Sequence, residues 1–240
     1  MGRDELWVAL ADPESLAEEA FAACEATLSE EERARAARVR VPAARRGFVV
    51  AHALLRAALS RAAPLAPAAW RFREGPRGKP ELASAPAEAA SLRFNLSHTD
   101  GLVACALARD VEVGIDVERG ARIRDPLALA ERFFAPSESA ALREAGAAAR
   151  RERFLAGWVV KEAVLKGRGL GIAGGLRSVI VSFDGERPRV AFAEDFRDDP
   201  RRWQIELLRP TPEHRLAVAA ARGAGPDLAL RVELGGLPGP

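Results

Sequence analysis

Several residue types are scarce in this 240-residue chain. It has no Tyr, one Met, one Asn, one Gln and two Cys, and only three of its 36 Lys plus Arg residues are lysines. No apolar run approaches the roughly 18 residues that a membrane-spanning helix needs, and no basic region followed by an apolar stretch marks a signal peptide at the start. The two cysteines are isolated in apolar surroundings, so they form neither a disulfide framework nor a zinc site, and we expect a cytoplasmic protein.

The remaining composition is that of an ordinary globular protein. Hydrophobic residues make up 48% and charged residues 29% of the chain, which suits one large domain or two small ones. The net charge of +2 argues against a strongly basic nucleic-acid-binding protein. The scarcity of residue types with AT-rich codons indicates a coding bias. The single Asn95 and the three lysines then leave two interpretations open: they mark positions where the chemistry resists substitution, or they cluster by accident.

Apolar periodicity and turn residues predict the secondary structure. Helices are predicted at 30–40, with Ser29 as the N-cap, and at 45–61, 126–133, 137–149 and 151–167. Strands are predicted at "LRFNLS" and "LVACALA", joined by an Asp100-Gly101 turn, and at 111–118, 177–183, 188–193, 203–209 and 215–221. The Pro-, Ala- and Gly-rich residues 62–91 predict a loop with a short strand near "WRF", and the final "GGLPGP" predicts disorder at its end.

A weak internal repeat predicts the domain organisation. The stretch "RRGFVVAHALLRAAL" from Arg45 and the stretch "RERFLAGWVVKEAVL" from Arg151 align without gaps and share four identical residues. Helices followed by short strands occur on both sides of residue 112. We therefore expect an α+β fold of two similar halves, each with helices packed on a small and mostly antiparallel sheet. A ligand cleft would be expected between such halves.

Two carboxylates share one face of a predicted strand. Asp116 and Glu118, in "GIDVE", are separated by one residue and therefore point to the same side. They repel each other unless a cation or an arginine lies between them, and hard divalent cations prefer such oxygen ligands. The residues leave two interpretations open: a cation site, or an exposed strand face that neighbouring arginines neutralise.

Glu162 and Lys166 occupy neighbouring positions on a predicted helix. They lie four residues apart in the order that favours their attraction, and a plain surface salt bridge is the alternative interpretation. The surrounding "WVVKEAVLKG" is otherwise apolar and predicts a buried helix, in which Trp158 belongs to the core. Lysine differs from arginine as a point charge with a tunable pKa, which suits a proton donor. Lys161 lies about 100° around the helix from Glu162 and is expected to face solvent or a different part of a ligand.

Ser97 and His98 are candidate phosphate-binding residues. They lie in "NLSHTDG" at the end of a predicted strand, which can present backbone N–H groups and a cationic imidazole to a phosphate. The histidine can equally be a simple turn residue. His52 and His214 lack comparable neighbours and are predicted to be structural. A basic set could neutralise a polyanionic ligand or form a solvated basic helix, and it consists of Arg33, Arg35, Arg38, Arg40, Arg45, Arg46 and Lys79.

The order of five motifs carries a family resemblance. "GKP", "FNLSHT", "GIDVE", "FFAPSE" and "WVVKEAVLKGRGLGI" follow one another between Lys79 and Ile172. In this order the chain resembles the 4′-phosphopantetheinyl transferases, specifically the large two-lobed type that activates peptide and polyketide synthases. The combination of "GID-x-E" with the later "W-x-x-K-E-A-x-x-K" is specific, whereas either motif alone is less so.

The resemblance implies a reaction and a division of labour. The 4′-phosphopantetheine arm of coenzyme A would be transferred to a serine of an acyl or peptidyl carrier protein, with Mg²⁺ as the cation and adenosine 3′,5′-bisphosphate as the by-product. Residues 1–111 would contact the adenosine and phosphate groups of coenzyme A. Residues 112–240 would hold the metal and the catalytic residues, with the active site in the cleft between the halves of a monomer.

The resemblance also implies residue roles. Asp116, Glu118 and Glu162 would hold Mg²⁺, and Asp116 belongs to the catalytic set. Glu162 would deprotonate the attacking serine, directly or through a water, and Lys166 would contact the pyrophosphate and protonate the leaving phosphate. The remaining coenzyme A contacts would come from Ser97, His98, Lys79, Pro80 and one of Arg45 and Arg46, with Arg38 and Arg40 less central.

Two other functions use similar residues. A Mg²⁺-dependent nuclease or phosphohydrolase also needs clustered carboxylates and a lysine, but the restriction-nuclease pattern is Glu-x-Lys on a strand, and here Arg119-Gly120 follow Glu118. A non-catalytic module that binds coenzyme A or a partner is the second alternative. The presence of the complete acidic set together with Lys166 argues against it.

Overall fold

The computed structural model describes residues 1–75, 78–170 and 175–237. In chain order the elements are β1 (Glu5–Ala11), α1 (Glu18–Thr27), α2 (Glu30–Arg38), α3 (Pro42–Ala62), β2 (Arg71–Glu74), β3 (Pro80–Ser84), β4 (Leu92–Thr99), β5 (Leu102–Arg109), β6 (Val113–Arg119), α4 (Pro126–Phe133), α5 (Pro136–Glu144), α6 (Ala147–Gly167), β7 (Val179–Asp184), β8 (Arg187–Phe192), β9 (Trp203–Leu208), β10 (His214–Ala221) and β11 (Ala229–Leu234). They form two compact units, of which the second is Glu112–Asp227. The predicted α+β class with helices on small sheets is confirmed.

The first unit is built on a four-stranded sheet. The strand order is β11-β1-β5-β4, in which β1, β5 and β4 are antiparallel neighbours and β11 runs parallel to β1. Helix α3 covers this sheet with apolar residues at helical spacing, among them Val50, Leu54 and Leu55. Strands β2 and β3 form a separate hairpin. Burial of this apolar face holds the unit together.

The second unit is built on a three-stranded antiparallel sheet. Its order is β6-β10-β9, and β7 and β8 form a separate hairpin. Helix α6 packs on this sheet through Val159, Val160, Ala163 and Val164. From Phe154 to Gly167 most residues of α6 are buried, so this part of α6 is the buried helix that its sequence predicts.

The predicted helix starts agree with the structure where local signals are strong. Ser29 caps α2 through a capping box: its hydroxyl accepts from the Glu32 N–H, and the Glu32 carboxylate accepts from the Ser29 N–H. Pro42 stands at the start of α3. The predicted helix at 137–149 ends earlier, at Glu144, because Gly146 begins the next helix as its N-cap.

The predicted boundary of the second half is wrong at its end. Residues 112–240 were assigned to one half, but the chain from Leu228 onward belongs to the first unit. The reason is β11, which pairs with β1 from Glu5 opposite Ala229 to Leu10 opposite Leu234. Strand pairing between sequence-distant segments leaves no local signal. Predicted disorder at the end of the tail concerns residues 238–240, which lie outside the described residues.

Both cysteines are buried and free, as the sequence predicts. Burial raises the pKa of the Cys24 thiol to about 11, although the Arg46 charge opposes the shift, and burial also raises the pKa of Cys105. These thiols are therefore chemically inert. None of the described helices combines the length and apolar character that crossing a bilayer requires.

Candidate functional site

A glycine lets helix α6 approach strand β6 at backbone distance. A Cβ atom at Gly114 would lie 1.9 Å from the Ala163 carbonyl oxygen and 2.3 Å from the Gly167 nitrogen. No side chain fits there, so this position requires glycine for close packing. The contact places the C-terminal half of α6 directly over the strand that carries "GIDVE".

The helix and the strand bring three carboxylates together. Asp116 on β6 is 5% exposed and Glu162 on α6 is 4% exposed, while Glu118 is half-buried on the same strand. Asp116 pairs across the sheet with the small Ala217. Carboxylates are seldom buried without compensation. The buried Asp116 and Glu162, together with Glu118, which shares a strand face with Asp116, are therefore candidates for a functional site.

Burial and neighbouring charges perturb the pKa of Glu162. Burial, the largest cause, and the charges of Asp116 and Glu118 together raise the pKa of its carboxyl to about 7, while the Lys166 charge opposes the shift. Its Oε1 atom is buried and accepts no hydrogen bond from any described residue. A carboxyl group poised near neutral pH is suited to accept a proton during catalysis.

Lys166 reaches across to the strand. Its Nζ donates to Asp116 Oδ1 at 2.6 Å. The lysine side chain is 29% exposed, whereas the Asp116 side chain is 7% exposed. The ammonium group thus stands at the accessible edge of the carboxylate cluster. The four-residue spacing from Glu162, which the sequence analysis singled out, places both on the same side of α6.

The donor set suits a hard divalent cation. Among the described residues, no three acidic, His or Cys side chains already surround a common cation position, and the Lys166 ammonium lies against Asp116. The chemistry nevertheless fits, because carboxylate oxygens are the preferred ligands of Mg²⁺ and the buried Glu162 Oε1 has no hydrogen-bond partner among the described residues. Asp116, Glu118 and Glu162 are the residues that would hold such an ion.

The prediction that Lys161 faces solvent or a ligand is wrong. Lys161 is fully buried, and its Nζ donates to Glu138 Oε2 at 2.8 Å and to the carbonyl oxygens of Leu176, at 2.9 Å, and Val179. The three N–H groups of an ammonium match these three acceptors, which gives a reason for lysine rather than arginine. Burial lowers the pKa of Lys161, and the Glu138 charge opposes the shift.

Glu138, from the "FFAPSE" motif, extends this buried connection. Its Oε2 also accepts from the Ala135 N–H at 2.9 Å, and its Oε1 accepts from the Val181 N–H at 2.9 Å. The ion pair therefore ties α5, α6 and β7 together. Sequence reasoning missed Glu138 because its partner lies 23 residues away on another helix. Gly171 and Ile172, which end the last motif, lie outside the described residues.

Trp158 belongs to the core, as predicted. Its ring lies 5.7 Å from the centroids of Phe133 and Phe154 and 6.4 Å from that of Phe134. This aromatic cluster packs the N-terminal half of α6 against α4 and the start of α5.

The first unit places Ser97 and His98 on the edge strand β4. Ser97 is buried and His98 is exposed, since successive residues of a strand point to opposite faces. The predicted hairpin is confirmed: β4 pairs with β5, and Gly101 supplies the positive φ of +81° that the turn requires. A Cβ atom at Gly47 would lie 3.9 Å from His98 Cδ2, so the first turns of α3 pass beside the imidazole.

Arg45 and Arg46 point towards helix α1. Arg45 Nη2 donates to Glu25 Oε1 at 2.5 Å. Arg46 donates from Nε to the Pro13 carbonyl oxygen at 2.6 Å and from Nη1 to Glu18 Oε1 at 3.0 Å, and its guanidinium lies 4.5 Å from the Phe21 ring centroid. The residue of α3 that faces His98 is therefore Gly47, and the role of either arginine stays a prediction.

Pro80 lines a cavity in the first unit that carries charges of both signs. Lys79 and Pro80 lie at the start of β3, where Pro80 and Gly78 contribute to a cavity of about 480 Å³. Arg35, which belongs to the predicted basic set, and the unpredicted pair Arg71 and Arg73 also line it. The signal for the pair was the alternation in "RFR", which places two arginines on one face of a strand.

Comparisons with known proteins agree with the motif order. Residues 112–220 match the family described as the 4′-phosphopantetheinyl transferase superfamily, and residues 15–110 match the family described as 4′-phosphopantetheinyl transferase, N-terminal. The 4′-phosphopantetheinyl transferase HetI of Nostoc sp. is 38% identical over 169 residues, which are 70% of this chain and 69% of that protein.

One further relative and one solved structure mark the range of similarity. A Synechocystis sp. protein named for the same family is 37% identical over 156 residues, covering 65% of this chain and 63%, less than two thirds, of that protein. A holo-(acyl-carrier-protein) synthase of Bacillus anthracis, solved in complex with CoA (3′,5′-ADP), is 19% identical with a TM-score of 0.37, over 45% of this chain and 93% of that one.

Proposed function

Because the chain belongs to the 4′-phosphopantetheinyl transferase family, we propose that it transfers the 4′-phosphopantetheine arm of coenzyme A to a serine of an acyl or peptidyl carrier protein. The observation that carries this proposal is the cluster on β6 and α6, where Lys166 Nζ lies 2.6 Å from Asp116 Oδ1 beside the perturbed Glu162. This cluster combines a base, a cationic proton donor and acidic metal ligands, which are the groups that phosphoryl-type transfer needs.

Glu162 is the proposed general base. A serine hydroxyl is a weak nucleophile until its proton is removed. With a pKa raised to about 7, the Glu162 carboxylate is a stronger base than an ordinary glutamate and is still ionised in part at neutral pH. The serine oxygen then bonds to the phosphorus that carries the pantetheine arm, and its proton goes to Glu162.

Lys166 is the proposed acid on the leaving group. As the new bond forms, the bond from that phosphorus to the bridging pyrophosphate oxygen breaks, and adenosine 3′,5′-bisphosphate leaves with the bridging oxygen. A nearby ammonium stabilises the charge that develops on this oxygen and supplies a proton to it. The contact with Asp116 orients the Lys166 side chain for this role.

Asp116, Glu118 and Glu162 are the proposed Mg²⁺ ligands. A bound divalent cation would neutralise the pyrophosphate and stabilise charge in the transition state. In the first unit, we assign coenzyme A contacts to Ser97, His98, Lys79, Pro80 and one of Arg45 and Arg46. These assignments rest on the family resemblance, as does our expectation that the protein acts as a monomer.

The direct test is intact-mass spectrometry of an apo carrier protein. The carrier is incubated with this protein, coenzyme A and Mg²⁺, and a parallel sample contains EDTA. We expect the carrier to gain one phosphopantetheine arm, and we expect EDTA to abolish the gain. Fatty-acid, polyketide and peptide carriers are tested side by side, because the carrier type is not fixed by the cluster.

Variants separate the proposed site from general effects. Asp116→Ala and Glu162→Ala should abolish transfer with the fold retained. Glu144→Ala, which removes an exposed carboxylate at the end of α5, is the matched control and should transfer at the native rate. Native transfer by both site variants would overturn the assignment. Failure on all carriers with coenzyme A still bound would favour a non-catalytic binding module.

A further inference from the structure

A second cavity lies in the second unit, apart from the proposed catalytic cluster. It has a volume of about 780 Å³ and is bordered by α5, α6, the β7–β8 hairpin and β9. None of Asp116, Glu118, Glu162 and Lys166 contributes to its lining. Cavities of roughly 300–1,000 Å³ are typical of sites for small organic molecules, and the proposed transfer gives this one no role.

The body of the cavity is apolar. Residues from four elements supply its aromatic and aliphatic lining, and they are Phe134, Leu142, Ala156, Ile180, Val181, Phe183, Leu207 and Leu208. Such a lining favours an apolar ligand body, because burying it releases the water that contacts both surfaces.

One cation in the lining is buried and only partly satisfied. Arg215 is 5% exposed; its Nε donates to Glu152 Oε1 and its Nη1 donates to the His214 carbonyl oxygen at 2.9 Å. Within the described part of the chain, Nη2 makes no hydrogen bond. An arginine has five N–H donors, and these bonds use one on Nε and one on Nη1, so three remain, two of them on Nη2, for a group inside the cavity that Arg215 lines.

The other charges of the lining also favour an anion. Arg153 and Arg209 add two cations, while Glu152 is engaged by Arg215 and Glu138 by Lys161. Lys161, which lies behind the lining, neutralises Glu138, so the three arginines of the lining are set against two other carboxylates, Glu152 and the exposed Glu186. The local excess of one positive charge would be neutralised by a ligand with one negative charge.

We propose that this cavity binds a small molecule with a carboxylate at one end of an apolar body. The carboxylate accepts from Arg215 Nη2, and the body packs against the aromatic and aliphatic lining. An arginine can serve Glu152 and a ligand carboxylate at once, because its donors point in different directions. This site is independent of the proposed transfer and holds whether or not that proposal is correct.

The test uses a matched pair of probes on the full chain. 4-Phenylbutanoate supplies a carboxylate on an apolar body, and 4-phenylbutanamide is its neutral analogue of the same shape. In a ¹⁵N–¹H NMR titration we expect saturable binding of the acid with a Kd of about 1 mM or tighter. The largest shifts should fall on α5, the β7–β8 hairpin and Arg215, and the amide should bind about tenfold more weakly or worse.

Two alanines of α5 provide matched variants. Ala141 and Ala140 are neighbouring exposed residues, but only Ala141 lines the cavity. Ala141→Trp should fill the entrance and reduce acid binding at least tenfold, whereas Ala140→Trp should bind as the native protein does. Arg215→Gln should remove the preference for acid over amide. If this variant unfolds, Arg153→Ala tests the charge requirement instead, because it removes a cation from the lining. Its control is Arg151→Ala, which removes an exposed arginine that does not line the cavity.

Three results of the probe titrations alone would overturn the proposal. They are no saturable binding of 4-phenylbutanoate, equal binding of the acid and the amide, and native binding by Ala141→Trp. Competition by coenzyme A would show that the acid occupies the phosphate-binding residues, which also contradicts the proposal. A failed transferase assay has no bearing on these readouts, so the two proposals are tested separately.

Discussion

At the scale of single residues, the lysines of α6 show how one residue type serves two purposes. They are two of only three lysines among the 36 Lys plus Arg residues of the chain. Lys166 is partly exposed beside a carboxylate cluster, as a proton donor to a phosphate has to be. Lys161 is buried in the core, and its ammonium group donates to three acceptors. The motif "KEAVLK" therefore combines a structural and a proposed catalytic lysine, and the sequence could not distinguish them.

Glu162 should make stability depend on pH. Its pKa in the folded protein is raised from 4.5 to about 7, so ionisation costs the folded state more than the unfolded state. Below about pH 4.5 both states are protonated and there is no penalty, and above pH 7 the penalty is complete. Glu162→Gln should therefore be more stable than the native protein at pH 8, by up to about 3 kcal/mol, and equal to it at pH 4.

Urea denaturation in EDTA at the two pH values measures this difference. A Glu162→Gln variant that is less stable than the native protein at pH 8 would contradict the assigned shift. Added Mg²⁺ should stabilise the native protein at pH 8 more than it stabilises the variant, because the variant lacks one proposed ligand carboxylate.

Replacement of Lys161 should weaken the second unit. Lys161→Met leaves Glu138 as a buried carboxylate without its cation, which costs about 3–5 kcal/mol. The double variant Lys161→Met, Glu138→Leu should recover part of this loss, since no unpaired charge is then left inside. Chemical denaturation of the two variants measures the difference, and an exposed pair such as Arg143–Glu131 is the control, with a loss of at most about 1 kcal/mol.

Lys166→Arg should separate binding from chemistry. Arginine retains the positive charge beside Asp116 but is a poor proton donor, because its pKa is too high. We expect coenzyme A affinity close to native and a transfer rate lower by about 100-fold or more. Calorimetric titration of coenzyme A and single-turnover transfer measure the two quantities, and a native rate in the variant would exclude Lys166 as the acid.

At the scale of elements, the contact between β6 and α6 sets the geometry of the cluster. Helix and strand approach so closely that the Ala163 carbonyl oxygen and the Gly167 nitrogen occupy the place where a side chain at position 114 would lie. The strand periodicity predicted Asp116 and Glu118 on one face, and the helix periodicity predicted Glu162 and Lys166 as neighbours. The periodicities could not predict that these two faces meet, because the packing of α6 on β6 brings together elements that are distant in sequence.

Gly114→Ala should disrupt this contact. Its methyl group would lie 1.9 Å from the Ala163 carbonyl oxygen, so the backbone of α6 or β6 has to move. We expect a loss of about 3 kcal/mol or more, measured by thermal or chemical unfolding. Gly146→Ala is the control, because a Cβ there meets nothing within 4 Å, and it should change stability by no more than about 1 kcal/mol. Equal losses in the two variants would contradict the proposed role of the contact.

At the scale of the whole molecule, the chain returns to its first unit at the end. Strand β11 covers one edge of β1, so a sheet that starts at Glu5 is completed by residues more than 200 positions later. Such pairings slow folding, because the loop must close before the contacts form. They also make the stability of the first unit depend on its last strand, β11.

Deletion from Leu228 onward should loosen the first unit selectively. The edge of β1 would lose its partner from Glu5 to Leu10, and each lost hydrogen bond contributes about 1 kcal/mol or less. We expect hydrogen exchange to accelerate in β1, while β6 and β10 keep their protection. Exchange measured by mass spectrometry decides this, and equal acceleration in both units would contradict the assignment of β11.

The sequence by itself determined what depends on neighbours along the chain. Helix α2 with its capping box, the β4–β5 hairpin with Gly101, the central helix α6 and the strand that carries Asp116 follow from capping, turn geometry and apolar period. The order of motifs also determined the family. Strand β1, helix α1 and hairpin partner β3 were not predicted; β1 reads as a short apolar run, because it is buried on both faces and shows no alternation.

The tertiary structure decided what depends on contacts between distant segments. It paired β11 with β1, turned Lys161 inward to Glu138, directed Arg45 and Arg46 to α1, and joined Asp116 to Lys166. The physical reason is the same in each case. A periodicity fixes which face a side chain occupies, but burial, charge pairing and hydrogen bonding are settled only by the surface that packs against that face.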